Sequence, residues 1–349
     1  MDPAKFALLV PSDTDVIFHI CHLEESELHP ERKLSAPGFQ PEGADEHRRV
    51  NQYAMANVVS AAKARSVRRV VYCSSWSSYG RQPCGTDVTE NTTSRAHEHI
   101  DASCCCCLGG KSSPVPYFEC KLELEAQLRE AATTGRSPNG QPDLPPERNA
   151  MARGSGGGGD PGTFEVVVIQ PCSVFGRYGD TGWCLIFEKL LATNGSMPGL
   201  PGASSFVDVQ DLAAAFVTAA DARRGVPYQR YILGGTNATN LEMQCAMAEL
   251  VGTAAPTRAT PPVVLNLLSR WNECLLGVPV CRWLRVMPGT IGSPWLVAKI
   301  TQDQSTDSAA ARAALGYRPR PLASTLKRNY DWLVSSGTLP SKAASKKAS

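Results

Sequence analysis

Three apolar runs divide the first half of the chain. They are Asp15-Val-Ile-Phe-His-Ile-Cys21, Arg68-Arg-Val-Val-Tyr-Cys-Ser74 and Phe164 to Ile169. Each has the length of a β-strand, and each is apolar at successive rather than alternate positions. A strand with one wet face alternates; a strand covered on both faces does not. The intervening segments change period. Asp45 to Arg65 carries Val50, Tyr53, Ala54, Asn57, Val58, Ala61 and Ala62 on one helical stripe, and Val115 to Glu130 carries Leu122, Leu124, Ala126 and Leu128 with charges between. Strand, helix, strand with short joins predicts βαβ units and a parallel sheet.

The second half continues in shorter elements. The third strand runs into a turn at Gln170-Pro-Cys-Ser-Val-Phe-Gly176, and a helix is expected over Trp183 to Asn194. Phe206 to Val209 reads as a short strand, with Asp211 as N-cap of an alanine-rich helix from Leu212 to Arg223. Tyr228 to Leu233 is a strand stopped by Gly234-Gly235, and Leu241 to Val251 a helix stopped by Gly252. Val263 to Leu333 is mostly helical, including Asp307 to Leu315 closed by Gly316 and Leu322 to Leu333. His29 to Glu46 is polar and Pro-rich, hence loop. Ser75 to Ser113 is long and irregular, and Thr133 to Gly162 has the Gly, Pro, Ser and Arg content of a disordered insertion.

Composition narrows the class without naming it. The 349 residues are 42% apolar and 19% charged with a formal net charge of +2, which is ordinary for a globule and asks for neither nucleic acid nor an acidic membrane. No apolar run reaches the ~18 residues of a membrane span, and the N-terminus has no signal-peptide layout, so a cytoplasmic location is expected. The 13 cysteines are odd in number and mostly sit in apolar runs, which fits reduced thiols better than a disulfide framework. In a reduced compartment the sequons at Asn91, Asn194 and Asn237 have no role. The Lys-containing end, 336–349, reads as a frayed basic tail.

Chemistry concentrates in Tyr117-Phe-Glu-Cys-Lys121. Residues four apart share a helix face, so a phenol and an ammonium can enter one pocket. A nearby cation favours the phenolate, which lets a tyrosine exchange a proton near neutral pH. Ser74 and Ser75 end a buried parallel strand, at the sheet edge where open α/β folds bind ligands, and Pro171 to Val174 end the next. Tyr117 lies on the helix between them. Other motifs fail on inspection. Cys104 to Cys107 are adjacent and cannot easily wrap one tetrahedral ion, so no metal is expected. Gly110-Lys-Ser112 lacks the first glycine and the strand of a phosphate-binding loop. Gly154 to Gly159 opens onto a strand rather than a helix. None of the six histidines (19, 22, 29, 47, 97 and 99) has ligand-pair spacing, and His19 reads as a satisfied core residue.

Seven segments in order carry a family likeness. They are DVIFHICH at 15–22, VNQYAMANVVSAAKARSVRRVVYCSSWSSYG at 50–80, YFECK at 117–121, VVVIQPCSVFGRYGD at 166–180, FVDVQDLAAAFVTAAD at 206–221, YILGG at 231–235 and AALGYRPRPLASTLKRNYDWL at 313–333. The chain resembles the extended short-chain dehydrogenase/reductases, within the NAD-dependent epimerase/dehydratase and 3β-hydroxysteroid dehydrogenase group, nearest the dihydroflavonol-reductase-like branch. The resemblance implies an α/β fold: a Rossmann-like, doubly wound parallel sheet in a cofactor domain over 1–171, interrupted by disordered insertions at about 81–113 and 133–162. It implies a smaller substrate region over 172–335, interleaved with further elements of the sheet. Tyr117 would be the general acid/base, Lys121 would hold the nicotinamide ribose and favour the phenolate, and Ser75 would hydrogen-bond the substrate oxygen. Ser74 and the segment Pro171, Cys172, Ser173 and Val174 would line the cofactor, with Tyr117 also touching it. Asn51 or Asn57 falls in the flanking helix.

The implied activity is an NAD- or NADP-dependent interconversion of a secondary alcohol and ketone on a small lipophilic molecule, sterol- or flavonoid-like, by a possible homodimer. Two alternatives stand beside it. One is a nucleotide-sugar epimerase or dehydratase of the same fold, for which the basic side chains at hand are Arg177, Arg223 and Arg224. The other is a non-catalytic relative or truncated product without cofactor. The likeness departs from the family at the start, where the Gly-rich turn and its flanking strands are expected. The sheet is therefore read as N-terminally incomplete: a truncated sequence, a cofactor-poor relative, or a sheet completed by another chain. The 42 residues from Ser75 to Tyr117 exceed the family's usual spacing, and the cysteine-rich loop accounts for the excess.

Overall fold

The computed structural model describes residues 3–21, 41–96, 116–135, 163–179, 182–276, 297 and 300–340. The motifs at 104–107, 110–112 and 154–159 and the tail from 341 lie outside these residues. So do 97–113 and 136–162 of the two expected insertions.

The apolar runs do form a parallel sheet. Strand β1 (Val16–His19) is followed by helix α2 (Pro41–Ala64), with α1 (Pro3–Leu9) before it. Then come β2 (Arg69–Cys73), a 3₁₀ turn (Trp76–Tyr79), β3 (Thr86–Val88), α3 (Pro116–Thr134) and β4 (Glu165–Pro171). Strand β7 (Tyr228–Leu233) completes a four-stranded sheet in the order β1-β2-β4-β7, every pair parallel. Successive side chains of β2 go to opposite faces. Val70 and Tyr72 pack with Val58 and Val59 of α2, Leu124 and Leu128 of α3, and Val166 and Val168 of β4. Val71 packs on the other face with Val167 and Ile169, against α5 (Val209–Ala219) through Leu212 and Phe216, and α8 (Ala309–Leu315) through Ala311 and Leu315. Helices on both faces explain the unbroken apolar runs, and they make the sheet doubly wound.

The remaining elements form a second layer around the sheet's carboxyl end. Strands β5 (Ser173–Phe175), β6 (Ala203–Asp208) and β8 (Thr236–Thr239) make a three-stranded sheet, and β3 pairs in parallel with β9 (Gln304–Thr306). Helices α4 (Leu185–Ala192), α6 (Asn240–Val251) and α9 (Leu322–Ser335) enclose Phe175, Phe187, Leu190, Phe206, Met243, Met247 and Leu326. Helix α7 (Pro262–Leu276) follows α6. Each fully buried side chain of this size contributes about 1.5–3 kcal/mol. Gly235 lies against the β6 backbone: a Cβ there would sit 1.8 Å from the Phe206 carbonyl oxygen. The pair that stops β7 thus lets two sheets approach.

Several expectations need correction. Strand β1 is an edge strand rather than one covered on both faces, with Phe18 43% exposed, because no described element lies over that side. The buried stripe of α2 runs through Met55, Val58, Val59 and Ala62, while Tyr53 is exposed. A second buried edge at Ala61 and Ala64 meets Ala7 of α1, a contact the periodicity did not foresee. Helix α2 starts at Pro41, inside the segment read as loop. Residues 81–96 are not a disordered insertion: they hold β3, and Glu90 accepts the Ile232 N–H at 2.8 Å. The N-cap of α5 is Asp208, whose Oδ1 accepts the Gln210 N–H at 2.8 Å. Asp211 instead accepts the Arg320 N–H at 2.8 Å and pairs with its guanidinium.

Candidate active site

Helix α3 begins on Pro116, a residue suited to the first helical position because its missing N–H has no partner to lose there. Tyr117 follows, half-buried, and Lys121 one turn on is buried. Arg48 of α2 fixes the outer side of this helix through Glu119 at 3.0 Å and Glu123 at 3.3 Å. The inner side faces the carboxyl ends of β2 and β4. Lys121 Nζ donates to the Cys73 carbonyl at 3.1 Å. It also stands 5.3 Å from the centre of the Tyr72 ring and 5.6 Å from that of Tyr117. The ammonium is therefore held between two aromatic faces, an arrangement that stabilises a buried cation. His19 stacks on Tyr72, ring centres 5.6 Å apart. Burial, then the Lys121 charge, pushes its imidazole down to about 4. Burial also raises the Tyr72 phenol well above its ordinary value, and its oxygen has no hydrogen-bond partner among the described residues.

The serines divide their work. Ser75 caps the 3₁₀ turn, its Oγ accepting the Ser77 N–H at 3.2 Å. A hydroxyl that accepts there keeps its proton for a second partner. Ser74 is committed elsewhere: its hydroxyl donates to the buried Glu125 carboxyl. Gln170 Nε2 reaches the same carboxyl at 2.9 and 3.0 Å and Ser78 Oγ at 3.1 Å, while Tyr79 Oη donates to Gln170 Oε1 at 2.9 Å. Burial raises the Glu125 pKa against the lowering effect of these bonds. Glu125 lies on the helix face of Tyr117 and Lys121 and ties it to the ends of β2 and β4. Sequence reasoning missed it, although its spacing of four from Lys121 was legible.

The segment after β4 is also placed. Pro171 pairs with Leu233, and the Cys172 N–H donates to the Leu233 carbonyl at 3.2 Å. The Cys172 thiol is buried and pushed up to about 12, so it is no nucleophile. Ser173 Oγ and Ser204 Oγ share a hydrogen bond of 2.8 Å, and Val174 turns partly to solvent. Trp76, Ser77, Phe118, Ser173 and Trp183 border one cleft. Helix α3 packs on the 3₁₀ turn that Ser75 caps, and Phe118, next to Tyr117, borders the same cleft as Ser173. Arg223 and Arg224 do not join them. Gln229 Nε2 donates to the Arg223 carbonyl, and Arg224 pairs with Asp221, at the amino end of β7. Asn51 and Asn57 are buried on α2, Asn51 Nδ2 donating to the His47 carbonyl at 2.9 Å.

Comparison with solved structures fits this geometry. UDP-glucose-4-epimerase from Stenotrophomonas maltophila, with bound NAD and formylated UDP-arabinopyranose, is 16% identical with a TM-score of 0.61, over 97% of this chain and 81% of that one. UDP-glucuronic acid 4-epimerase from Bacillus cereus, in complex with UDP-glucuronic acid and NAD, is 14% identical at 0.59, over 96% and 81%. RMD from Pseudomonas aeruginosa, complexed with NADPH, is 15% identical at 0.57, over 95% and 85%. The chain has the fold of these enzymes. No family profile matches the sequence, and no curated protein does. Among the described residues no helix is long and apolar enough to cross a membrane, and no cluster of His, Cys, Asp or Glu could hold a metal ion.

Proposed function

We propose that this chain is an extended short-chain dehydrogenase/reductase that interconverts a secondary alcohol and a ketone with NAD or NADP. The observation that carries the reading is the phenol–ammonium pair on α3, with Lys121 Nζ 5.6 Å from the Tyr117 ring, at the carboxyl edge of a parallel sheet. The donor set suits the nicotinamide end of the cofactor: Lys121 and Tyr117 on one side, and the backbone of Pro171 to Val174 on the other. The orphan Tyr72 oxygen beside Lys121 adds a polar group that asks for a partner. Among the described residues no Gly-rich turn opens a helix toward a pyrophosphate, so the reading rests on the nicotinamide end alone. The cofactor supplies the hydride acceptor.

The residues of this chain handle the proton. As the carbinol C–H leaves as hydride, the O–H proton passes to the Tyr117 phenolate oxygen; reduction runs the same transfer backward. Lys121 places a positive charge 5.6 Å from the Tyr117 ring, and the Ser75 hydroxyl donates to the substrate oxygen, where negative charge grows during reduction. Proton transfer of this kind contributes about 10²–10⁴-fold.

The substrate class favoured here is a small neutral molecule. An epimerase acting on nucleotide sugars is the second reading, supported by the bound ligands of the neighbouring structures. The placement of Arg223 and Arg224 at the opposite end of the sheet weighs against it. Titration of purified protein with NADH and NADPH, followed by assays with secondary alcohols and with UDP-glucose, tests the choice. Cofactor-dependent turnover of an alcohol that Tyr117→Phe abolishes without weakening cofactor binding supports the first reading. Epimerisation of UDP-glucose without net change in NADH supports the second. Absence of binding at millimolar cofactor rejects both.

A further inference from the structure

Tyr72 is fully buried near the end of β2, packed with Val70, Leu124, Val166 and Val168. His19, its register partner on β1, stacks on the ring with planes 19° apart. A ring held this way is a fixed surface. Over it, 5.3 Å from its centre, stands the Lys121 ammonium. Lys121 is only 3% exposed, and the same ammonium lies 5.6 Å from the centre of the Tyr117 ring.

Burial disfavours a charged ammonium, so its surroundings decide whether the charge persists. The Cys73 carbonyl accepts one of its N–H groups at 3.1 Å. The titratable groups around it are His19 on β1, Tyr72 and Cys73 on β2, and Tyr117, Cys120 and Glu125 on α3. Burial holds the His19 imidazole down to about 4 and pushes the Cys120 thiol up to about 12, and it raises the Cys73 thiol and the Tyr72 phenol as well. At neutral pH these four therefore act on Lys121 as dipoles rather than as charges. The Glu125 carboxyl is bonded to Ser74 and Gln170. Tyr72 offers the negative face of its ring, and the pull of a ring face on a cation is strongest where water is excluded. The Tyr72 hydroxyl has no hydrogen-bond partner among the described residues, so toward Lys121 the ring is the working part.

We propose that Tyr72 is a positioning residue of this site: the face of its ring holds the charged Lys121 ammonium beside Tyr117. It acts through Lys121 rather than on substrate or cofactor. A leucine could fill the same space between the strands and helices, but it would offer the cation nothing. A phenylalanine would keep the attraction and drop the hydroxyl. The inference rests on the oxidoreductase reading for what the ammonium does, while the hold on the ammonium is a property of the chain alone.

The test changes the charge distribution of the ring and keeps its shape. Phenylalanine and its 4-fluoro, 3,5-difluoro and pentafluoro derivatives are placed at position 72 of the full chain, because each fluorine draws electron density from the ring face. Lys121 is followed through the Cε resonance of labelled lysine, identified by its loss in Lys121→Gln. Turnover is followed across pH with cyclohexanol and NAD or NADP. Tyr72→Phe should match the unaltered chain in both measurements. Along the fluorine series Lys121 should give up its proton at progressively lower pH, its proton affinity falling about three- to tenfold at pentafluorophenylalanine. The upper pH limit of turnover should come down in the same order, with the KM for cyclohexanol and the melting temperature little changed. A purely structural ring would move neither. Equal titration of Lys121 in the phenylalanine and pentafluorophenylalanine chains overturns the proposal, and so does a Lys121 shift that leaves the pH profile of turnover in place. A Lys121 shift in chains that bind neither NADH nor NADPH leaves the ring's hold on the ammonium standing and sinks the oxidoreductase reading.

Discussion

His19 offers the sharpest physical test of the site's interior. Its ring stacks on Tyr72 with planes 19° apart, and the charge of Lys121 acts on it from the same neighbourhood. Burial is the larger cause of its lowered pKa and the lysine the smaller. In the unfolded chain the imidazole returns to 6.5. As pH falls from 6.5, the unfolded state therefore takes up a proton that the folded state refuses. Stability from this group is complete above pH 6.5, is lost as pH drops through the window to about 4, and changes no further below it. A fall from 6.5 to about 4 corresponds to about 3 kcal/mol across the whole window.

His19→Phe keeps a ring over Tyr72 and removes the titration. Urea unfolding of both proteins at intervals from pH 7.5 to 4.5 measures the difference directly. The gap between them should move by about 2 kcal/mol or more in the variant's favour as the buffer becomes acidic, since most of the window lies above pH 4.5. Lys121→Met should raise the His19 pKa part of the way, as read from the imidazole proton shifts, because burial remains when the cation is gone. Parallel stability curves for the two proteins, or a His19 that titrates near 6.5 in the folded chain, would refute the account of a desolvated imidazole beside a buried ammonium.

Two further predictions concern the scaffold. Arg69 is fully buried and divides its guanidinium between Glu165 and the Ala219 carbonyl at 2.7 Å, so Arg69→Met strands a carboxylate and should cost about 3–5 kcal/mol in urea unfolding, most of it recovered in the double variant with Glu165→Gln. Thr239 forms a capping box with Glu242 at the start of α6, and Thr239→Ala should cost about 1 kcal/mol, a change small enough to leave cofactor binding unaltered.

The sheet was legible because its strands are covered on both faces. That covering forces an unbroken apolar run over Val70 to Cys73 and over Val166 to Ile169, a pattern few loops imitate. The Tyr117 helix was legible for the opposite reason, since its polar groups repeat at four-residue spacing. What could not be read was set by partners distant in sequence. Phe18 looks like a core residue until one sees that β1 is an edge. Thr86–Val88 has no strand signature, and it is a strand only because Gln304–Thr306 lies beside it, more than 200 residues on. Asn240 and Gln302 look like ordinary surface amides. Only the fold brings both to one cleft and leaves Asn240 Oδ1 and Gln302 Nε2 without a hydrogen-bond partner among the described residues.

The buried network around Glu125 explains how so many distant groups hold one geometry. Among the described residues no cation forms an ion pair with the Glu125 carboxyl, which makes it expensive to bury, and apolar packing alone would have served stability better. Its bonds run to Ser74, itself a predicted site residue at the end of β2, and to Gln170 at the end of β4, next to Pro171, while its own backbone belongs to the helix of Tyr117 and Lys121. Sliding α3 by one residue would strand the carboxyl, the glutamine amide and the serine hydroxyl together. The network therefore acts as a register pin, opposing any shift that would part the phenol from the strand ends. The energy given up by burying Glu125 goes into position rather than stability, which is a sensible exchange only where position matters, as it does for a proton donor at a sheet edge.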